Sequence, residues 1–402
     1  MTIKRPLLGV LVAGLVLLTG CWDQNELGDV ALVVGMGVDK TEDDLYHVSY
    51  QIVNPGHVSG GEIAQRGEGP AVVTYSVEGS TLFETTRKIS TKIPRNLTFS
   101  HMVVLIIGES LAEENGLIEV MDFTERFYGF RSTSRVFLAR DVQAQSILSM
   151  LNSLERVPAM KIQETSKKTA EVWGENPEQN INEVVQTLNN ESKGTLLNGI
   201  TLIGNLEEGQ KSVKDQQVTP SSFIEIKGLA LLKDGKLKGW LDDKEAHGAA
   251  WVKNKIDKTV VTSPCNENDE VMAVEVRNTK TDLNAVIRNG DPKITINIRG
   301  EGALQEAACP LDLTEPGVIS KLNTKFESEI EQEVTAAVKL AQEQQSDIFD
   351  FGGVINRRDP KEWKKLKDDW SNTFSELDVD VKVEFFIRGT GLRTNPLILE
   401  KK

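Results

Sequence analysis

Apolar and polar positions alternate with period two in several short stretches of this chain and recur at helical spacing in others. Tyr46, Val48, Tyr50 and Ile52 alternate with His47, Ser49 and Gln51. The β-rich run at 29–38 precedes them across the turn material Lys40-Thr41-Glu42-Asp43-Asp44, so the pair predicts a hairpin. Residues 56–70 are rich in glycine and read as a loop, after which Val73, Tyr75 and Val77 alternate again. Ser80 is placed to cap a helix running to about Ser90, with Phe83, Thr86 and Ile89 facing inward. The apolar run 102–107 predicts a buried strand, followed by a helix around 117–127 and a strand around 133–139.

From 141 to 190 the spacing is mainly helical. Ile147, Leu148, Leu151 and Leu154 share one face, and Val184, Val185 and Leu188 another. A strand at 197–204 leads to the polar linker 206–222 with Pro220. Strands are expected near 223–232, 258–262, 271–277 and 293–300. A long helix follows Thr314-Glu315-Pro316, with Ile319, Leu322, Phe326, Ile330, Val334, Val338 and Ala341 on one stripe. Gly352-Gly353 is expected to end it. Asp359-Pro360 opens a second helix with Trp363, Leu366, Trp370 and Phe374 on its apolar face. The final strand alternates Val379, Val381, Val383, Phe385 and Ile387 with Asp380, Lys382 and Glu384, one wet face that predicts antiparallel pairing.

The pattern is that of a multi-domain α+β protein with mixed or antiparallel sheets and packed helices. Its C-terminal domain is read as an antiparallel sheet against a long helix. The expected division is a signal segment at 1–20, a tether at 21–28, an α/β domain at 29–140 and a C-terminal α+β domain at 220–397. A helical/β segment at 141–215 lies between them, either separate from the first domain or interleaved with it.

Location is written in the first residues. Lys4 and Arg5 precede the apolar run 7–18, which is shorter than the roughly 20 residues a bilayer span needs. It has the dimensions of a signal peptide. It ends in Leu18-Thr19-Gly20-Cys21, which resembles the bacterial lipobox, where a cysteine thiol takes a diacylglyceryl group and the chain is cut before it. The 402-residue chain has a formal charge of −14. Loss of Lys4 and Arg5 makes the mature chain more acidic still, which disfavours nucleic acid as a partner. Acyl chains would hold the protein on a membrane despite that charge.

Candidate chemistry is sparse. Gly35-Met36-Gly37 lacks the third glycine and following helix of a dinucleotide site. Asp350-Phe351-Gly352 copies a kinase tripeptide with none of its companions. Asp242, Asp243, Glu245 and His247 are read as a helix start, with Asp242 the N-cap and Glu245 completing a capping box, rather than as metal ligands. His101 has no accompanying nucleophile and is read as structural. Trp363 and Trp370 are read as core residues, and the four lysines of 361–367 as a solvated face. Beyond Cys21 there remain Cys265 and Cys309. Two readings stand for them: a disulfide, which an exported chain permits, or two buried thiols.

Several stretches together resemble the Ger(x)C lipoproteins, the C subunits of spore germinant receptors. They are Cys21-Trp22-Asp23-Gln24-Asn25-Glu26-Leu27, the run from Phe99-Ser100-His101 to Gly108-Glu109, and Gly228-Leu229-Ala230 with Asp234-Gly235-Lys236-Leu237-Lys238-Gly239-Trp240-Leu241. To these are added Cys309-Pro310-Leu311-Asp312-Leu313, Asp359-Pro360-Lys361-Glu362-Trp363, and Val379-Asp380-Val381 leading to Arg388-Gly389-Thr390-Gly391-Leu392. Glu113 and Glu114 stand where the family usually carries basic residues. The resemblance implies a non-enzymatic subunit on the outer face of the spore inner membrane, with a larger A subunit and a permease-like B subunit as partners. It implies no cofactor, metal or small-molecule pocket. Trp22 and Leu27 beside the anchor are candidate partner contacts, the alternative being a flexible tether. A rival class, a solute-binding lipoprotein, would need a cleft between two parallel-sheet lobes. An exported hydrolase would need a constellation that the sequence lacks.

Cys21→Ala is expected to leave the chain unlipidated and lost from the membrane fraction of fractionated cells; normal retention of that variant contradicts the anchor.

Overall fold

The computed structural model describes residues 29–54, 70–127, 129–151, 155–190, 192–209, 220–265, 270–288, 290–309 and 311–391. Cys21, Trp22 and Leu27, the loop 56–69 and most of the linker at 206–222 lie outside the described residues.

Nine strands build the first sheet. In chain order they are β1 (Val30–Lys40), β2 (Tyr46–Val53), β3 (Val72–Gly79), β4 (Asn96–Thr98), β5 (Val104–Gly108), β6 (Arg135–Ala139), β7 (Thr195–Gly204), β8 (Ser222–Lys233) and β9 (Lys236–Leu241). Their spatial order is β3-β2-β1-β5-β6-β7-β8-β9, with β4 pairing β1. The centre, β1-β5-β6-β7, is parallel, and antiparallel hairpins flank it on both sides. The apolar run at β5 is explained by cover on both faces. Leu105 and Ile107 enter one core with Tyr50 and Phe99, while Val104 and Ile106 enter the other with Ile147 and Leu148. Gly35 and Gly37 admit the second layer: a Cβ at Gly35 would stand 2.8 Å from Leu148 Cδ2, and one at Gly37 3.2 Å from Ala144. Close helix approach, rather than a nucleotide, accounts for both glycines.

A second sheet holds β10 (Lys258–Pro264), β11 (Val271–Arg288), β12 (Asp291–Ala307) and β13 (Asp378–Gly389) in that order. The long helix Val318–Glu343 packs on it through Leu322, Phe326, Ile330, Val334, Ala337 and Ala341. Three of the strands are antiparallel neighbours, whereas β13 runs parallel to β12 along its length. The alternation located the strand but not its direction. The chain travels from β12 to β13 through helices, and such a crossover returns it in the same sense. The disulfide Cys265–Cys309, with Cα atoms 6.1 Å apart, joins the chain just past β10 to the chain just past β12.

Other expectations need correction. Thr81, not Ser80, caps the helix Leu82–Lys88 by accepting the Glu84 amide, and Phe83 is exposed rather than inward. Glu84 returns the contact to the Ser80 amide one residue upstream of the cap. The long helix stops at Glu343, and Gly352 and Gly353 open the helix Phe351–Arg358 instead. Gly352 is needed there because a Cβ would meet the Trp363 ring at 2.6 Å. The stripe from Trp363 to Phe374 is carried by the separate helices Pro360–Leu366 and Trp370–Ser375.

The two sheets share a core. Leu229, Leu231 and Leu241 of the first sheet lie in one apolar cluster with Val274, Ile296 and Phe326 of the second half. The helix Asp243–Val252 stands between them, and its Trp251 is 1% exposed. Truncating such a ring typically costs about 3–5 kcal/mol. Gly248 permits the contact with the long helix, since a Cβ there would lie 2.0 Å from the Glu333 carbonyl oxygen and 2.9 Å from Ala337 Cβ.

Gly248→Ala is therefore expected to lower stability by about 1–3 kcal/mol in urea denaturation, the ordinary result of overpacking. Gly239→Ala, with nothing within 4 Å of the new Cβ, is the near-neutral control. Equal midpoints for the two variants contradict the close approach.

Candidate functional site

The residues singled out for chemistry do not converge. His101 is exposed, its Nδ1 3.1 Å from Ser100 Oγ, which lies 3.2 Å from Thr98 Oγ1. Among the described residues no carboxylate completes that chain of hydroxyls. Asp242 is the N-cap of its helix by position, but its carboxylate does not cap. It makes a two-pronged pair with Arg140, at 2.6 and 2.9 Å, whose guanidinium also lies over Trp240. The expected capping box with Glu245 is therefore absent, because a charged fork outcompetes a single backbone amide. Among the described residues no three His, Cys, Asp or Glu side chains are grouped to hold a metal.

A buried polar junction is built instead where the two halves meet. The carbonyl of Trp173 accepts from Thr259 Oγ1 at 2.6 Å and from His247 Nε2 at 3.2 Å. That fixes the tautomer with the proton on Nε2. The Trp173 and His247 rings lie 5.2 Å apart. Glu333 accepts from Trp251 Nε1 at 2.9 Å. Burial pushes the Glu333 carboxyl up to about 7 and pushes His247 below its ordinary value. His247 Nδ1 and Glu333 Oε1 are 3.9 Å apart, and burial shifts both groups toward their neutral forms, which works against an ion pair there.

Asp347 organises the opposite side of the second half. It is buried, and its oxygens accept from the amides of Phe349, Phe351 and Gly352 and from Trp370 Nε1, at 2.8–3.2 Å. Burial raises it to about 6 while the amide donors pull it back. It thus anchors the helix that starts at Phe351. Asp350 of the kinase-like tripeptide pairs with Arg357 at 3.3 Å. Trp363 and Trp370 pack edge to face with centroids 5.1 Å apart, as core residues do.

Between the helix Ile181–Leu188 and the turn after Val252 lies an open cleft of about 300 Å³. Glu178 and Glu183 line one part of it, and Lys193, Lys253 and Lys255 another. Lys253 donates to the Ile348 carbonyl at 3.2 Å, and burial brings its ammonium down to about 8. The cleft offers charges of both signs with no nucleophile and base arranged for a reaction.

Sequence reasoning passed over Glu333 and Asp347. Glu333 was the more findable of the two. It follows Phe326 by seven residues and Ile330 by three, which puts a carboxylate on the apolar stripe of the long helix.

The architecture has counterparts in known proteins. The family described as "Spore germination protein N-terminal domain" matches residues 23–202, and that described as "Spore germination B3/ GerAC like, C-terminal" matches residues 227–391. The chain is 34% identical to Spore germination protein KC of Bacillus subtilis, covering 98% of each chain. It is 25% identical to Spore germination protein B3 of the same organism, covering 94% of this chain and 96% of that one. The solved structure of the GerBC protein shares the fold, with a TM-score of 0.56 at 20% identity, over 88% of this chain and 97% of that one. No helix among the described residues is long and apolar enough to cross a membrane. By its end-to-end similarity to these proteins, the chain belongs to the Ger(x)C family of spore germination proteins.

Proposed function

We propose that this chain is the lipid-anchored C subunit of a nutrient germinant receptor, needed for spore germination and working by assembly with membrane A and B subunits. The observation that carries the reading is the similarity to Spore germination protein KC over nearly the whole of both chains. The lipobox ending at Cys21 supports attachment by lipid, on the outer face of the cytoplasmic membrane that becomes the spore inner membrane. The family is one of receptor subunits, which supports reading the chain as one that acts by presenting surface to its neighbours. A solute-binding lipoprotein is disfavoured. Its lobes are two parallel sheets, whereas three of the four strands of the second sheet here are antiparallel neighbours.

Assembly gives Trp22 and Leu27 a role as partner contacts next to the anchor. In spores whose nutrient germination depends on this chain, deletion is expected to abolish the response and the wild-type gene to restore it. The Trp22→Ser/Leu27→Ser double variant is expected to stay folded and lipidated but to restore germination poorly. Germination unaffected by deletion contradicts the receptor reading. Full rescue by the double variant reduces residues 22–28 to a tether.

A further inference from the structure

The net charge of −14 hides an asymmetry. Residues 82–101 carry Arg87, Lys88, Lys92 and Arg95 against a single carboxylate, Glu84, and residues 126–135 carry three arginines and no acid. Arg87, Lys88, Lys92, Arg95 and Arg131 are all exposed. Two of them donate to neutral acceptors: Lys92 Nζ to the Ser76 carbonyl and Arg131 Nε to the Thr133 hydroxyl. Arg126 is matched by Asp122, beside Glu125.

Aromatic rings bring the two segments together. Phe83, 49% exposed, lies 6.3 Å from Phe127, and the Arg87 guanidinium covers the Phe83 ring at 5.0 Å. Phe127 packs in turn on Phe123, Phe130 and the buried Phe99. The result is an exposed ring with a cation over it, in a segment whose other cations are also exposed, the composition of an element that lies in a bilayer interface.

Its position matters as much as its composition. Arg95 immediately precedes β4, and β4 pairs with the first residues of β1, Val30 opposite Asn96. Cys21 stands nine residues before Val30. Even fully extended, that stretch reaches only about 30 Å. A lipid on Cys21 therefore keeps the bilayer within reach of this face. The acidic remainder of the surface is repelled by anionic headgroups, whereas this face is attracted to them.

We infer that the aromatic and basic face formed by Phe83, Arg87, Lys88, Lys92, Arg95 and Arg131 rests on an anionic phospholipid surface and sets the orientation of the anchored subunit. The inference rests on the lipid-anchored reading above. It gives the tether one geometry, with the helix Leu82–Lys88 and the chain leading to β4 toward the membrane and the second sheet farther along the chain from the anchor.

The test is amide hydrogen exchange on the full lipidated chain, reconstituted in vesicles of phosphatidylcholine alone or mixed with phosphatidylglycerol. Peptides covering 82–101 are expected to exchange more slowly in the mixed vesicles, and peptides from the long helix to be unchanged. The Lys88→Glu/Lys92→Glu/Arg95→Glu variant is expected to lose that protection while still sedimenting with the vesicles. Phe83→Ser, which removes a ring from outside the core, is expected to weaken it by a route that does not depend on charge. Identical exchange in both vesicle types, with the chain sedimenting normally, overturns the inference and leaves the anchor standing. Protection that appears only when other receptor subunits are added overturns it in favour of a protein partner. A chain that fails to sediment with either vesicle overturns the anchor reading, and the orientation with it.

Discussion

One backbone-to-backbone approach sets the arrangement of the rest: Gly248 of the helix Asp243–Val252 lies directly against the Glu333 carbonyl of the long helix. A side chain of any size at Gly248 would force the two helices apart. Their contact buries Trp251, directs its indole to Glu333 and closes the apolar cluster that Leu229, Leu231 and Leu241 share with the second sheet. The polar groups trapped by that closure are satisfied across the junction, where the Trp173 carbonyl takes both Thr259 and His247. An unpaired group there would be expensive in so dry a setting.

The consequence is continuity between the halves. The second family match begins at residue 227, but β8 and β9, at Ser222–Lys233 and Lys236–Leu241, complete the first sheet before the chain enters the second. A segment that pairs with one sheet and then packs under the other ties the two together by main chain, hydrogen bonds and core at once. Burial moves both Glu333 and His247 toward their neutral forms, the direction that lowers the cost of enclosing them.

Much of this was legible in the sequence because periodicity reports burial. The stripe from Leu322 to Ala341 and the alternation from Val379 to Ile387 each gave the right element and face. What failed did so for tertiary reasons. The direction of β13 depends on the connection that precedes it, not on its own alternation. Gly352-Gly353 look like a helix end, and only the Trp363 ring against Gly352 and the Asp350 carboxylate against Gly353 show why glycines open a helix there. Phe83 has the spacing of a core residue, yet it is 49% exposed, its ring tilted against Phe127 rather than enclosed. Asp242 reads as a capping residue until Arg140, about a hundred positions earlier in the chain, takes its carboxylate. Asp347 takes three of its donors from amides two to five residues further on, a local pattern that the reading passed over, and the fold adds only the indole of Trp370.

The central claim is that this chain acts through assembly at a membrane rather than through catalysis or solute capture. The most direct measurement is purification of the chain from spore inner membranes in mild detergent, with identification of the proteins retained. The account predicts a larger membrane protein and a permease-like one, the A and B subunits of a germinant receptor. Recovery of the chain alone, or with the permease and ATPase of a transport system, would contradict it.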